Sequence, residues 1–105
     1  LSMLRAPDAP VALQFYSLGR GKTDRHMEPF FVELLPESAM DKHLSSHEGE
    51  EFIVVHSGRL EVIYGPETHY LDPGDSIYYN SVVPHYVSCH DGEGASIYAV
   101  LYFPD

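Results

Sequence analysis

The sequence predicts an all-β protein, folded as a small antiparallel sandwich or barrel. Two observations carry this. From about residue 30 onward, short apolar runs alternate with turn signals at intervals of 8–12 residues, the rhythm of short strands joined by tight connections. Eight tyrosines and five phenylalanines accompany many β-branched residues, and such side chains favour a pleated, half-buried surface.

Taken in order, ALQFY (12–16) reads as a strand, and GRGKTDR (19–25), with three of the six basic residues, as a mobile loop. FFVELL (30–35) is a strand stopped by Pro36. EFIVVH (51–56) follows, closed by Ser57-Gly58, then RLEVIY (59–64), closed by Gly65-Pro66. ETHYL (67–71) runs into Asp72-Pro73-Gly74-Asp75. There Pro73 sets φ and Gly74 supplies the positive φ of a type II turn, and the turn is expected to close a hairpin with SIYY (76–79). HYVSC (85–89), the loop DGEG (91–94) and SIYAVLYF (96–103) complete the set. In EFIVVH both parities are apolar, Phe52 and Val54 on one face and Ile53 and Val55 on the other. A strand covered on both faces implies a second sheet inside and a partner outside, so a homodimer is expected.

The 105 residues make one domain, with residues 1–27 as an N-terminal strand and loop extension and residues 28–104 as the barrel. A net charge of −10 excludes a chain that grips phosphate backbones itself, because it lacks the cations for counterion release. The single cysteine cannot form an internal disulfide, so a reducing, cytoplasmic location is the default. No apolar run approaches the roughly 20 residues that span a bilayer, and no secretory n-region and h-region are seen. The first residue is Leu1 rather than methionine, which suits a piece of a longer protein or a trimmed one.

The chemistry concentrates in SSHEGEEFIVVHSG (45–58). His47 and Glu51 are four apart and share strand parity, and His85 follows 34 residues later. If their strands neighbour each other, two imidazoles and one carboxylate converge. That donor set leaves open positions on Fe(II) and also suits Mn, Ni or Zn. The competing reading is a solvated turn at 47–51, with Glu51 paired to Arg59 or Lys42, and a core role for His85. His43 is the candidate fourth ligand, whereas His56 and His69 sit at a turn and in a strand pair and are left out. Among the aromatic residues, Tyr64, Tyr79 and Tyr98 are assigned to a ligand pocket, since buried hydroxyls need partners there. Cys89 shares the parity of His85 and joins them as a pocket residue. It lacks a basic neighbour that would activate it as a nucleophile.

His47-x3-Glu51-x6-Gly58 resembles the second half of the first cupin motif, G-x5-H-x-H-x3-4-E-x6-G. Gly74 through His85 resembles the second, G-x5-P-x-G-x2-H-x3-N. Ser45 stands for the first histidine, Asn80 for the proline, Val82 for the glycine and Cys89 for the final asparagine. Three of the four usual metal ligands remain by position: His47, Glu51 and His85. The resemblance covers roughly residues 28–104 and implies a double-stranded jelly roll. MEPFFVELLPES, HEGEEFIVVHSGRLEVIYG and LDPGDSIYYNSVVPH are most similar to the small cupin sensor domains that follow a Cro/repressor-type helix-turn-helix in bacterial transcription regulators.

That resemblance implies a domain sensing a small-molecule effector, with one divalent transition metal (Fe, Mn, Ni or Zn) as its cofactor. DNA would be contacted only through a separate N-terminal domain, and no membrane is involved. The alternative is a small metal-dependent enzyme of dioxygenase, epoxidase or isomerase type using His47, Glu51 and His85. A third reading is a metal-free binding or oligomerisation module. One barrel hosts many functions, so fold alone does not choose among them.

Overall fold

A computed structural model describes residues 2–4, 13–40, 43–90 and 92–104. Nine strands form two antiparallel sheets: β1 (Ser2–Leu4), β2 (Leu13–Ser17), β3 (Met27–Leu34), β4 (Glu50–Ser57), β5 (Leu60–Tyr64), β6 (Glu67–Leu71), β7 (Ser76–Asn80), β8 (His85–Cys89) and β9 (Ala95–Tyr102). The larger sheet has the order β1-β2-β3-β9-β4-β7, and the smaller has the order β6-β5-β8. The fold is therefore all-β and of the jelly-roll kind. Among the described residues no helix is long and apolar enough to cross a membrane.

Strict period-2 alternation selects the inner faces. Val32 and Leu34 of β3, Ile53 and Val55 of β4, and Ile97 and Ala99 of β9 point inward from the larger sheet. They meet Leu60, Val62 and Cys89 of the smaller one, all buried. Ile53 is almost wholly enclosed, so truncating it to alanine would leave a cavity costing about 2–5 kcal/mol.

Every strand expected from residue 30 onward is present, with no end moved by more than three residues. Two elements carried no sequence signal: the short edge strand β1 and a 3-10 turn at Pro36–Ala39. The turn packs along the free side of β8, where the Tyr86 hydroxyl donates to Ser38 O at 2.6 Å. It covers an edge that would otherwise show unpaired backbone groups.

One expectation needs correction. The Asp72–Asp75 turn has its expected form, with Gly74 at φ +90° and Asp75 N–H donating to Asp72 O at 2.9 Å. It does not close a hairpin, however, because β6 and β7 belong to different sheets. It carries the chain from one layer to the other. On β4, Phe52 of the outer face is 41% exposed within the single chain, while Ile53 and Val55 of the inner face are buried against the second sheet.

Candidate metal centre

The site is assembled across the two sheets rather than between neighbouring strands. Glu51 enters from β4 and His85 from β8, in opposite layers. His47 precedes β4 altogether, in the loop before Glu50, so shared strand parity is not what aligns it with Glu51. The loop is laced to the segment before β8. Ser45 and His85 exchange backbone hydrogen bonds at 2.8 and 2.9 Å, His47 N–H donates to Ser81 O at 3.0 Å, and Ser81 N–H donates to Gly49 O at 2.9 Å. Gly49 turns the chain at φ +111°, passing so close to Tyr102 O that a Cβ would sit 1.9 Å from it. Only glycine fits there.

These constraints bring three donors together. Nε2 of His47 lies 2.9 Å and Nε2 of His85 3.1 Å from Oε1 of Glu51, and all three atoms fall within 4.8 Å of one another. Three facial ligands about 2.1 Å from an ion stand about 3 Å apart, so the spacing fits a divalent transition metal. The far nitrogens support this. His85 Nδ1 is 2.8 Å from Val83 O and His47 Nδ1 is 3.2 Å from Glu48 O. Each Nδ1 is thereby assigned the proton that it donates to a carbonyl, which leaves Nε2 as the ligating atom. The other carboxylate oxygen is already engaged, because the Tyr79 hydroxyl donates to Glu51 Oε2 at 2.5 Å. Ser81 Oγ adds a 3.3 Å bond to Oε1.

Glu51 and His85 are buried, at 7% and 5% exposure. Burial alone would raise the carboxyl pKa. Hydrogen bonds from His85 and Tyr79, with the charges of His85 and His47, outweigh it and hold Glu51 below the usual carboxylate range. The bond to Glu51 correspondingly raises His85 against the opposing effect of its burial, with help from the Val83 carbonyl. Burial and the Glu51 charge push the Tyr79 phenol upward, so it stays protonated as a donor. His47 is the more open member and packs against Phe103, with ring centroids 6.3 Å apart. Leu44 and Val82, next to the laced residues Ser45 and Ser81, are exposed.

The remaining predicted residues divide. Tyr79 belongs to the site, and Tyr64 stands behind it, its ring 5.2 Å from that of Tyr79. Both also line a groove of about 390 Å³ between β6 and β7. Tyr98 does not face the interior. It alternates with buried Ile97 and Ala99, is 42% exposed, and packs against Phe31 and His56 on the outer sheet face. Cys89 is buried at the opposite end of β8, about 13 Å from His85 at strand rise, with Sγ 3.4 Å from Ser38 Oγ. His43 is exposed and outside the three-donor cluster. Arg59 pairs with Asp72 rather than Glu51, and Lys42 lies outside the described residues. Sequence reasoning missed Gly49, Ser81 and the Val83 carbonyl. Of these only Gly49 left a trace, as a glycine between two candidate ligands.

Two histidines and a glutamate inside one end of a two-sheet jelly roll form a donor set of metal-ligand type. Residues 30–101 match the family model for the cupin domain, and the chain belongs to that family. Solved structures agree. A hydroxypropylphosphonic acid epoxidase from S. wedmorenis superposes with a TM-score of 0.78 at 26% identity, covering 88% of this chain and 51% of that one. Fe(II)-HppE with the alternative substrate (S)-1-HPP gives a TM-score of 0.80 at 26% identity, covering 95% and 55%. An HTH_3 family transcriptional regulator from Vibrio cholerae gives 0.74 at 24% identity, covering 90% and 52%, a likeness of fold alone. The chain thus spans about half the length of each. No curated protein matches significantly.

Proposed function

We propose that this chain is the effector-sensing cupin domain of a bacterial transcription regulator. A divalent transition metal held by His47, Glu51 and His85 would anchor a small-molecule ligand. The observation that carries the metal part is the convergence of two Nε2 atoms and Oε1 at about 3 Å spacing, inside a buried end of the barrel. The regulatory part is supported by the sequence phrases shared with helix-turn-helix-linked cupins. It is also supported by a net charge of −10, which leaves DNA contact to a separate domain. Tyr64 and Tyr79 would line the ligand side of the pocket, and the metal would supply open positions for the effector. The working unit would be a cytoplasmic homodimer. An effector can switch such a regulator only by binding its two states unequally.

A second reading is a metal-dependent oxygenase or epoxidase, favoured by the same donor set and by the fold likeness to the Fe(II)-HppE and hydroxypropylphosphonic acid epoxidase structures. The test is elemental analysis of the protein, prepared without a polyhistidine tag, beside His47→Ala. About one metal per chain, lost in the variant, supports the site. Oxygen uptake by the Fe(II) form with candidate substrates would then favour the enzyme. No metal after reconstitution with Fe(II), Mn(II), Ni(II) and Zn(II) overturns the metal reading.

A further inference from the structure

In a strand with one face on a core, the side chains of that face should be apolar. Strand β6 departs from this rule. Its register with β5 sets Leu71 opposite Leu60, His69 opposite Val62 and Glu67 opposite Tyr64. Leu60 and Val62 belong to the core, so His69 and Glu67 occupy barrel-facing positions, while the aromatic Tyr70 is turned out to solvent. Across the gap, β7 directs Ile77 and Tyr79 inward, opposite Ile53 and Glu51 of β4. Strands β6 and β7 are each the last of their sheet, so no backbone ladder closes the space between them. The result is an open groove of about 390 Å³, within the range of small-molecule sites.

We infer that this groove binds a small organic cation, a protonated amine on a short apolar body, at a site separate from the metal's open positions. Three features select the charge. Among the described residues no lysine or arginine lines the groove, and its one carboxylate is Glu67. Glu67 lies 3.7 Å from His69 Nε2, too far for a hydrogen bond, so its oxygens stay open to an N–H donor. Tyr64 and Tyr79 line the groove side by side, with ring centroids 5.2 Å apart, and aromatic faces attract ammonium groups. Leu71 and Ile77 add an apolar wall for the body of the ligand. An anion would meet Glu67 with no compensating cation. A neutral apolar molecule would strip water from the carboxylate without replacing it. A bare metal ion would find only His69 and Glu67, and the three-donor cluster lies elsewhere. The site needs no metal, yet it shares a wall with the donor set. His85, Tyr64 and Glu67 stand in one row across the smaller sheet, which puts Glu67 about 10 Å from His85 along that row. Tyr79 lines the groove and also holds Glu51 through its hydroxyl.

Amide chemical shifts of the metal-free protein, followed during titration with phenethylammonium chloride at constant ionic strength, test this. Saturable shifts are expected on β6 and β7, with a dissociation constant on the order of 1 mM. The carboxylate analogue 3-phenylpropanoate should bind at least ~10-fold more weakly. Glu67→Gln should weaken phenethylammonium by at least ~10-fold, and its position on an exposed edge strand leaves the fold intact. Glu37→Gln, which removes an exposed carboxylate from the 3-10 turn, should change nothing. An equal loss in that variant would reduce the effect to overall charge and overturn the site. So would the absence of shifts by about 20 mM, equal affinity for the carboxylate, or undiminished binding by Glu67→Gln. Shifts centred on His47 and His85 would assign the cation to the donor set and overturn the groove. Metal content is measured separately, so none of these outcomes bears on the metal reading.

Discussion

Tyr79 and Glu51 are register partners on β7 and β4, and the phenol donates to Oε2 of the carboxylate at 2.5 Å. One oxygen of Glu51 is thus tied to the barrel wall while the other faces both histidines. Fixing the carboxylate in this way favours binding a metal through a single oxygen and leaves coordination positions for a ligand.

Tyr79→Phe removes that tie. The ring and its packing on Tyr64 and His85 are kept, so only the hydrogen bond is lost, and leaving the buried oxygen unsatisfied costs about 1–3 kcal/mol. Metal affinity should fall about 10–100-fold. Titration with Co(II), followed by its visible spectrum, checks this. An unchanged spectrum and affinity would leave Tyr79 a packing residue.

His85→Ala deletes a ligand from the buried end. Metal binding should be abolished, with a loss of about 1–3 kcal/mol in fold stability, because His47, Tyr79 and Ser81 still solvate the Glu51 carboxylate. Elemental analysis with chemical denaturation separates the two effects. Full metal occupancy in this variant would remove His85 from the ligand set.

Protons and metal compete for the same atoms, and this fixes the pH behaviour. His85 is raised and Glu51 lowered by their mutual contact. The raised histidine stabilises the metal-free protein at low pH, and this contribution is lost as pH climbs through its folded pKa, above the ordinary value of about 6.5. The depressed carboxylate contributes above its unfolded pKa of about 4.3, and its contribution is lost as pH falls through the lower folded value. Metal-free stability should therefore peak in mildly acidic solution. Metal affinity should rise with pH as His85 gives up its proton. Thermal melts with and without Co(II) across pH 4–9 should show the two optima apart. A metal-free optimum at alkaline pH would contradict the ion pair.

What the sequence showed and hid follows from the reach of each signal. Alternation and turn residues are local, so β3 to β9 were legible nearly to their ends. His47, Glu51 and His85 were legible as a set because they match the spacing of a known motif. Their assembly was not: parity suggested one face of one strand, whereas cross-layer lacing of the Ser45–Gly49 loop to Ser81–His85 does the work. Tyr98 was misplaced for a related reason. On β9 both parities are apolar, so the pattern could not say which face is core, and the buried set proves to be Ile97 and Ala99. The 3-10 turn at Pro36–Ala39 was invisible because its partner, β8, lies some 50 positions on.

Gly49 offers the sharpest separation of ligand identity from ligand position. It carries no donor, yet its φ of +111° turns the chain between His47 and Glu51, and its missing side chain lets Tyr102 O approach. A methyl group there would meet a backbone oxygen that cannot swing aside, unlike the flexible tip of a side chain. Gly49→Ala must therefore move the loop away from β9 or strain its backbone. Either response pulls on the Ser81 N–H to Gly49 O bond and on the His47 N–H to Ser81 O bond that place His47. A loss of about 2–4 kcal/mol is expected, in the range of strained-backbone lesions. Metal affinity should fall further than stability alone explains, although all three ligands are intact. Denaturation midpoints beside Co(II) titration decide it. Loss of stability with undiminished metal affinity at low temperature would show that His47 finds its place without the loop.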